Sequence, residues 1–310
     1  MSKTLKSNHT EINSLLSKNM NKKQFITFSS PAKLNLFLHI NERRADNYHE
    51  LQTLFQFLDH SDTIAFNVDD SDKIELLTEF SGVNSEDNLI IKAAQLLRKE
   101  ALKSDFSKPY GAEIKIDKIL PMGGGLGGGS SNAATTLLAL NYLWKINFSI
   151  DKLADLGLTL GADVPVFIRG FSAFAQGVGE LLTPAKPKEY WYLVTKPNCS
   201  ISTAEIFNAP TLTRNTAKLA LTEIDFKLCH NDCQSIASKL YPEVAKLLAW
   251  LVEYAPSQMT GTGACLFSRF DTQAEALLLQ NILPKGIYSF VAKGLNQSPL
   301  VEQIAVLKNK

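Results

Sequence analysis

The sequence lacks a long hydrophobic run. No segment approaches the roughly 20 apolar residues that a membrane-spanning helix needs, so no membrane partner is expected. It also lacks a surplus of charge: 32 Lys and Arg stand against 31 Asp and Glu, a net charge of +1. That argues against nucleic acid as a partner, because such binding needs a clustered basic excess. Cysteine is scarce, with four in 310 residues, Cys199, Cys229, Cys233 and Cys265. So few fit free thiols in a reducing, cytoplasmic compartment better than a disulfide framework. Cys229-His230-Asn231-Asp232-Cys233 has a faint metal-site look, but structural zinc wants four ligands at compact spacings and nothing nearby supplies the other pair. No metal site is expected. The first 23 residues, polar and rich in Ser, Asn and Lys, lack the apolar core of a secretory signal. Residues 1–24 read as a flexible extension, with Met20 as an alternative start.

What remains is a globular composition, 45% hydrophobic and 20% charged, in a chain long enough for two domains with separate cores. Residues 25–41 alternate as a strand does, with Leu34, Leu36, Leu38 and Ile40 on one face and Lys33 and Asn35 on the other. On pattern alone the simpler reading is a half-exposed strand with a solvated Lys33. Residues 51–58 and 62–68 read as two further strands, and 85–88 open a helix to about 102. Residues 112–119 form a strand that feeds a glycine cluster, followed by helices over 130–144 and from a Ser149 cap to about 161. Pro165 biases Val164 away from helix, which puts Asp163 in a tight passage into an extended segment. Strands are expected at 171–175 and 190–195, a capped short helix at 202–207, and two helices over 231–254 split at Pro242. A second glycine motif at 259–263 leads into a strand, Asp271 caps a helix to about 283, and 288–292 is a last strand. The glycine- and proline-bearing stretch 177–187 is the best domain boundary.

Six of the 17 glycines fall within positions 123–129. Glycine costs backbone entropy, so such a cluster needs a reason. Lying between a strand and an apolar helix, it reads as a phosphate site, where bare N–H groups and the helix start meet an anion. The remaining possibility is a tight structural turn. A dinucleotide fold would place an acid after a second strand, a P-loop needs a lysine before its Ser or Thr, and a protein-kinase loop joins two strands. None of the three applies.

The run Pro121-Met122-Gly123-Gly124-Gly125-Leu126-Gly127-Gly128-Gly129-Ser130-Ser131 resembles the phosphate loop of the GHMP small-molecule kinases. Pro31-Ala32-Lys33-Leu34-Asn35, Tyr48-His49, Gly161-Ala162-Asp163-Val164-Pro165, Thr260-Gly261-Thr262-Gly263 and Val291-Ala292-Lys293-Gly294 follow the family's order, from about residue 25 to the end. Asn47 stands where the family has glycine, and Thr260 where it has serine.

The resemblance implies an α+β, two-domain fold. A ribosomal-protein-S5-like ATP-binding domain (25–179) would meet a ferredoxin-like C-terminal domain (180–310), with the active site in the cleft between them. It implies transfer of the γ-phosphoryl of ATP to an alcohol. In the branch it resembles most, the acceptor is the C2 hydroxyl of a cytidine-diphosphate-linked methylerythritol, an isoprenoid precursor. The loop residues 121–131 would hold the ATP phosphates, with Asn88 and Lys118 near the adenosine. Mg²⁺ would be carried by the nucleotide and loop hydroxyls, with no dedicated protein site. Lys33 and Asp163 map to the catalytic pair. Asn35, Tyr48, His49, Thr203 and Phe207 map to the substrate pocket, where Tyr48 stacks on cytosine and His49 bonds its edge. The expected partner is this small molecule, and the enzyme a monomer or weak homodimer. Alternatives are another GHMP kinase or a non-catalytic nucleotide-binding regulator on the same fold.

Overall fold

The computed structural model describes residues 24–79, 85–104, 110–224 and 229–309; of the expected N-terminal extension, residues 1–24, all but the last lie outside them. Two long antiparallel strands dominate the first half, β1 (Ile26–Arg43) and β2 (His49–Asp69). The short β3 (Ile74–Leu76) pairs in parallel with β4 (Gly111–Asp117), which lies antiparallel to β2. Helices α1 (Leu89–Leu102), α2 (Gly128–Leu143), α3 (Ile150–Leu158) and α4 (Val164–Arg169) contribute to the core of this half. The hairpin β5 (Ala173–Gln176) and β6 (Leu181–Pro184) completes its sheet against β2.

The second half runs β7 (Trp191–Lys196), α5 (Thr203–Asn208), α6 (Asp232–Leu240), α7 (Pro242–Val252), β8 (Ser257–Met259), β9 (Leu266–Phe270), α8 (Gln273–Asn281), β10 (Tyr288–Leu295) and α9 (Pro299–Lys308). Its sheet order is β10-β7-β9-β8, all antiparallel. With helices after the first and third strands, this is the ferredoxin-like arrangement. Gly294 and Leu295 of β10 pair with Leu58 and Phe57 of β2 and join the two sheets. A third apolar cluster, with Leu34, Phe37 and Leu126 from one half and Tyr192, Phe267 and Phe290 from the other, fills the space between.

Local sequence explains the elements that carry polar residues into the interior. Residues 30–40 of β1 are buried on both faces, so Lys33 is 2% and Asn35 3% exposed. The half-exposed reading of this strand is therefore corrected. Its apolar residues join three clusters, Phe28 the first, Leu38 and Ile40 the second, and Leu34, Leu36 and Phe37 the one that draws on both halves. The polar Asp59-His60-Ser61 punctuates β2 with a bulge instead of a turn: the register jumps between Pro31↔Ser61 and Lys33↔Phe57, and one strand continues where two were expected. Asn88 caps α1 by accepting from the Ile90 N–H. Residues 131–141 of α2 are all buried, as its all-round apolar sequence requires.

Two expectations of local structure change. Pro165 does not break helix; it sits in the first turn of α4, where its missing N–H would be unpaired anyway, and Asp163 is the residue before that helix. Thr272, not Asp271, caps α8, in a reciprocal capping box with Glu275. The division at 179/180 falls inside the β5–β6 hairpin. Helix α9, absent from the sequence reading, returns to the first half, where Leu300 and Ile304 join its core. Among the described residues no helix is long and apolar enough to cross a membrane.

Candidate active site

A cavity of about 810 Å³ lies where the glycine loop, the β1–β2 arm, α5 and the second glycine motif converge. The loop leaves β4 and enters α2 through Gly127, whose left-handed backbone (φ 72°) offers no side-chain cap. Ser131 N–H is the first in the helix to bond back, to Gly127 O at 2.8 Å. The N–H groups before it are open donors at the positive end of the helix. Glycine at 125 also answers to packing: its φ is +74° and an added Cβ would lie 2.2 Å from Thr260 O. The loop is thus pressed onto the second motif, where Ala264 and Cys265 N–H donate to Gly123 and Gly124 carbonyls at 3.2 and 3.1 Å. The Thr260 hydroxyl accepts from Asn35 N–H at 2.9 Å, tying the same motif to β1.

Asp62, fully buried, anchors the other side of the loop. Its Oδ1 accepts from Ile119 and Leu120 N–H at 2.9 and 2.8 Å. Its Oδ2 accepts from Lys118 Nζ at 2.6 Å and Asn132 Nδ2 at 3.0 Å. One carboxylate therefore grips the chain before the loop and the first turn after it. Lys118 also donates to Leu120 O at 3.0 Å, so its ammonium stays at the cavity wall beside Asn88.

Midway along the cavity, Lys33 Nζ lies 3.2 Å from Asp163 Oδ2. It donates to Gly125 O at 3.0 Å and to Asn35 Oδ1. The lysine side chain is 3% exposed while that of Asp163 is 34% exposed, so the carboxylate opens to the cavity and the ammonium backs it. Asn35 passes its amide N–H on to Thr53 Oγ1 at 2.9 Å.

At the far end, Tyr48 is 65% exposed at the tip of the β1–β2 arm. His49 beside it is buried and stacks on Phe207, ring centroids 5.1 Å apart and planes 25° off parallel. Burial first, then the charges of Arg214 and Arg43, push the His49 pKa below its ordinary value. Thr203 Oγ1 meets Thr262 Oγ1 at 2.9 Å, linking α5 to the second glycine motif.

Every residue expected at the site lines this cavity except Ser131. Ser131 is fully buried and its hydroxyl accepts from Ser30 Oγ at 2.9 Å, so it supports the loop from behind. Sequence reasoning missed Asp62, Asn132, Thr53 and Arg214 as supporting groups. Asp62 read only as the first residue of a strand, and Arg214 fell in a stretch to which no element was assigned. Among the described residues no group of three or more His, Cys, Asp or Glu could hold a metal ion. Cys233 and Cys265 are buried thiols whose pKa burial pushes up to about 12.

The chain matches the family model for the GHMP kinases N terminal domain over residues 88–171 and that for the GHMP kinases C terminal over residues 217–288. A curated 4-diphosphocytidyl-2-C-methyl-D-erythritol kinase from Colwellia psychrerythraea is 62% identical over 287 residues, 91% of this chain and 94% of the relative. A solved 4-(cytidine 5'-diphospho)-2C-methyl-D-erythritol kinase superposes with a TM-score of 0.74 at 28% identity, over 87% of this chain and 99% of the other. The Methanococcus jannaschii mevalonate kinase superposes with a TM-score of 0.63 at 17% identity, over 89% and 99% of the two chains, a likeness of fold alone.

Proposed function

The chain belongs to the GHMP kinases and, within them, to the 4-diphosphocytidyl-2-C-methyl-D-erythritol kinases, and from that premise we propose how it works. It uses ATP to phosphorylate the C2 hydroxyl of 4-diphosphocytidyl-2-C-methyl-D-erythritol, giving the 2-phosphate and ADP, in the non-mevalonate route to isoprenoid precursors. The observation that carries the reading is the placement of Lys33. One buried ammonium contacts the Asp163 carboxylate, the Gly125 carbonyl of the phosphate loop and Asn35, in a cavity that also contains Tyr48, His49 and Phe207.

Phosphoryl transfer is mostly positioning and charge stabilisation. The loop from Pro121 to Ser130 cradles the phosphates with its N–H groups and the start of α2. Asn88 and Lys118 border the adenosine. Asp163 orients the acceptor hydroxyl and takes its proton late, as the bond to phosphorus forms. Lys33 stabilises the negative charge that develops between loop and acceptor. Mg²⁺ would supply neutralisation of phosphate charge, and the Ser130 hydroxyl and the Asp163 carboxylate, which both line the cavity, are the protein groups that would hold it. Tyr48 and Phe207 stack on cytosine, His49 bonds its edge, and Asn35 and Thr203 reach the polar groups of the acceptor.

A monomer or weak homodimer is the state that the family resemblance implies, and the thiol content supports a cytoplasmic setting. The sheets favour dividing the ATP-binding and C-terminal domains after β6, with α9 assigned to the first. A coupled assay of ADP release, with and without the cytidylyl substrate, tests the function. Release that depends on that substrate supports it. Release driven instead by mevalonate or homoserine, or none at all, overturns it. Retention of both Lys33 and Asp163 disfavours a non-catalytic regulator.

A further inference from the structure

One polar contact at the base end of the cavity has no role in the chemistry above. Arg214 belongs to a stretch that runs along the β1–β2 arm without regular structure. That stretch is pinned by Thr216 N–H to Ile40 O at 3.1 Å and by a reciprocal pair between Gln52 and the Leu219 backbone at 2.9 and 2.8 Å. The Arg214 guanidinium donates from Nε to His49 Nε2 at 3.0 Å and from Nη1 to Leu212 O at 3.1 Å. Its Nη2 donates to Phe207 O at 2.8 Å and Ala209 O at 2.9 Å. All four acceptors are neutral.

A guanidinium has donors only and keeps its charge across the working pH range. An imidazole nitrogen that accepts from it must therefore present its lone pair. A neutral imidazole with a lone pair on Nε2 carries its proton on Nδ1. Adding a second proton would set donor against donor, and the lowered pKa of His49 agrees with that. His49 lines the cavity, and among the described residues its Nδ1 makes no hydrogen bond. The same guanidinium holds the backbone of Phe207, whose ring stacks on His49.

We propose that Arg214 is a positioning residue that locks His49 in its Nδ1–H tautomer, making this end of the cavity select cytosine over uracil. The inference rests on the reading that the cytidylyl group lies here. Cytosine offers a bare acceptor at N3, which an N–H can meet. Uracil carries an N–H at that position, so a His49 N–H directed at position 3 would face a donor with a donor and leave both unpaired, a loss normally large enough to cut affinity by about ten- to a hundredfold.

The test has a part that needs no substitution. The ¹⁵N shifts of the His49 imidazole in the full chain at pH 7.5 are expected to show a protonated Nδ1 and a bare Nε2. The opposite tautomer overturns the proposal. In Arg214→Met the tautomers should mix, KM for the cytidylyl substrate should rise about tenfold, and the cytidylyl-to-uridylyl ratio of kcat/KM should fall by a similar factor. KM for ATP should stay within about twofold of wild type. Arg214→Lys, which keeps a cation but loses the fork, should fall between. A wild-type cytidylyl preference fully retained in Arg214→Met overturns the proposal. If Arg214→Met fails to fold, the wild-type tautomer together with the wild-type discrimination between the two substrates decides. A wild-type chain inactive on the cytidylyl substrate overturns the functional reading, while the tautomer measurement still decides the Arg214–His49 link.

Discussion

Asp163 and Lys33 lie 130 positions apart in the sequence, yet they form one unit at 3.2 Å. Replacing the carboxylate while leaving the lysine separates chemistry from binding. Asp163→Asn is expected to lower kcat by about 10²–10⁴ while ATP affinity, read by equilibrium titration, stays nearly unchanged. Equal turnover in mutant and wild type would remove Asp163 from the mechanism. Tyr48 presents the opposite case, a large ring left 65% exposed where no packing demand explains it. Stacking contributes about 1–3 kcal/mol per base, so Tyr48→Ala should raise KM for the cytidylyl substrate about tenfold and leave KM for ATP alone. A shift confined to ATP would mean that the two ends of the cavity had been exchanged. At this scale the sequence was legible where a residue belongs to a motif, as Lys33, Tyr48, His49 and Asp163 do. It was silent on Asp62, whose side-chain partners begin 56 positions away at Lys118, and on Arg214, whose link to the site, His49, lies 165 positions away; the neighbours of neither give a signal.

The glycine loop shows how an element acquires a conformation that its sequence leaves open. A run of glycines permits almost any backbone path, and what selects one is the surroundings: Thr260 against Gly125, Cys265 against Gly124, and Asp62 at both stems. Asp62→Ala would strand the Lys118 ammonium and two amide N–H groups, at a cost of about 3–5 kcal/mol as for other broken buried pairs. The expected result is a lower Tm and a raised KM for ATP with KM for the cytidylyl substrate little changed. Asp62→Asn should recover much of the stability, because an amide oxygen can still accept from Ile119 and Leu120, but less of the ATP affinity. Equal rises in both KM values would make Asp62 a general stabiliser and not a loop anchor. Strand and helix patterns were read correctly where one face alone is buried. The misses differ in cause: the β2 bulge and the docking of α9 depend on tertiary pairing that local propensity cannot see, whereas Pro165 in the first turn of α4 follows a local rule that was read the other way.

Across the whole molecule, the fold class and its ferredoxin-like second half could be expected from the order of motifs. The chain crosses back twice, through the β2–β10 pairing and through α9, and the central apolar cluster draws on both halves, so unfolding should be strongly coupled across the cleft. Titration offers a way to see this. His39 and His49 are buried, and His60 is partly buried against Phe290 at 3.8 Å between ring centroids. All three have pKa values pushed below the ordinary histidine value, with burial the largest cause in each. The His230 charge lowers His39 further, while nearby carboxylates partly offset the effect at His39 and His60. The sign follows from proton counting. Below about pH 6.5 the unfolded chain takes up protons on these histidines while the folded chain does not, so the unfolded state binds more protons and folding stability falls as pH falls. Each fully titrating histidine contributes a slope of at most about 1.4 kcal/mol per pH unit, and the stabilising difference is complete above pH 6.5. Urea midpoints should therefore drop between pH 7.5 and 5.5 in a single transition reported alike by Trp144, Trp191 and Trp250. His39→Gln, at a site whose Nδ1 is buried without a partner, should flatten part of that dependence. A midpoint that holds constant or rises on acidification would show that these imidazoles are not held neutral by the fold.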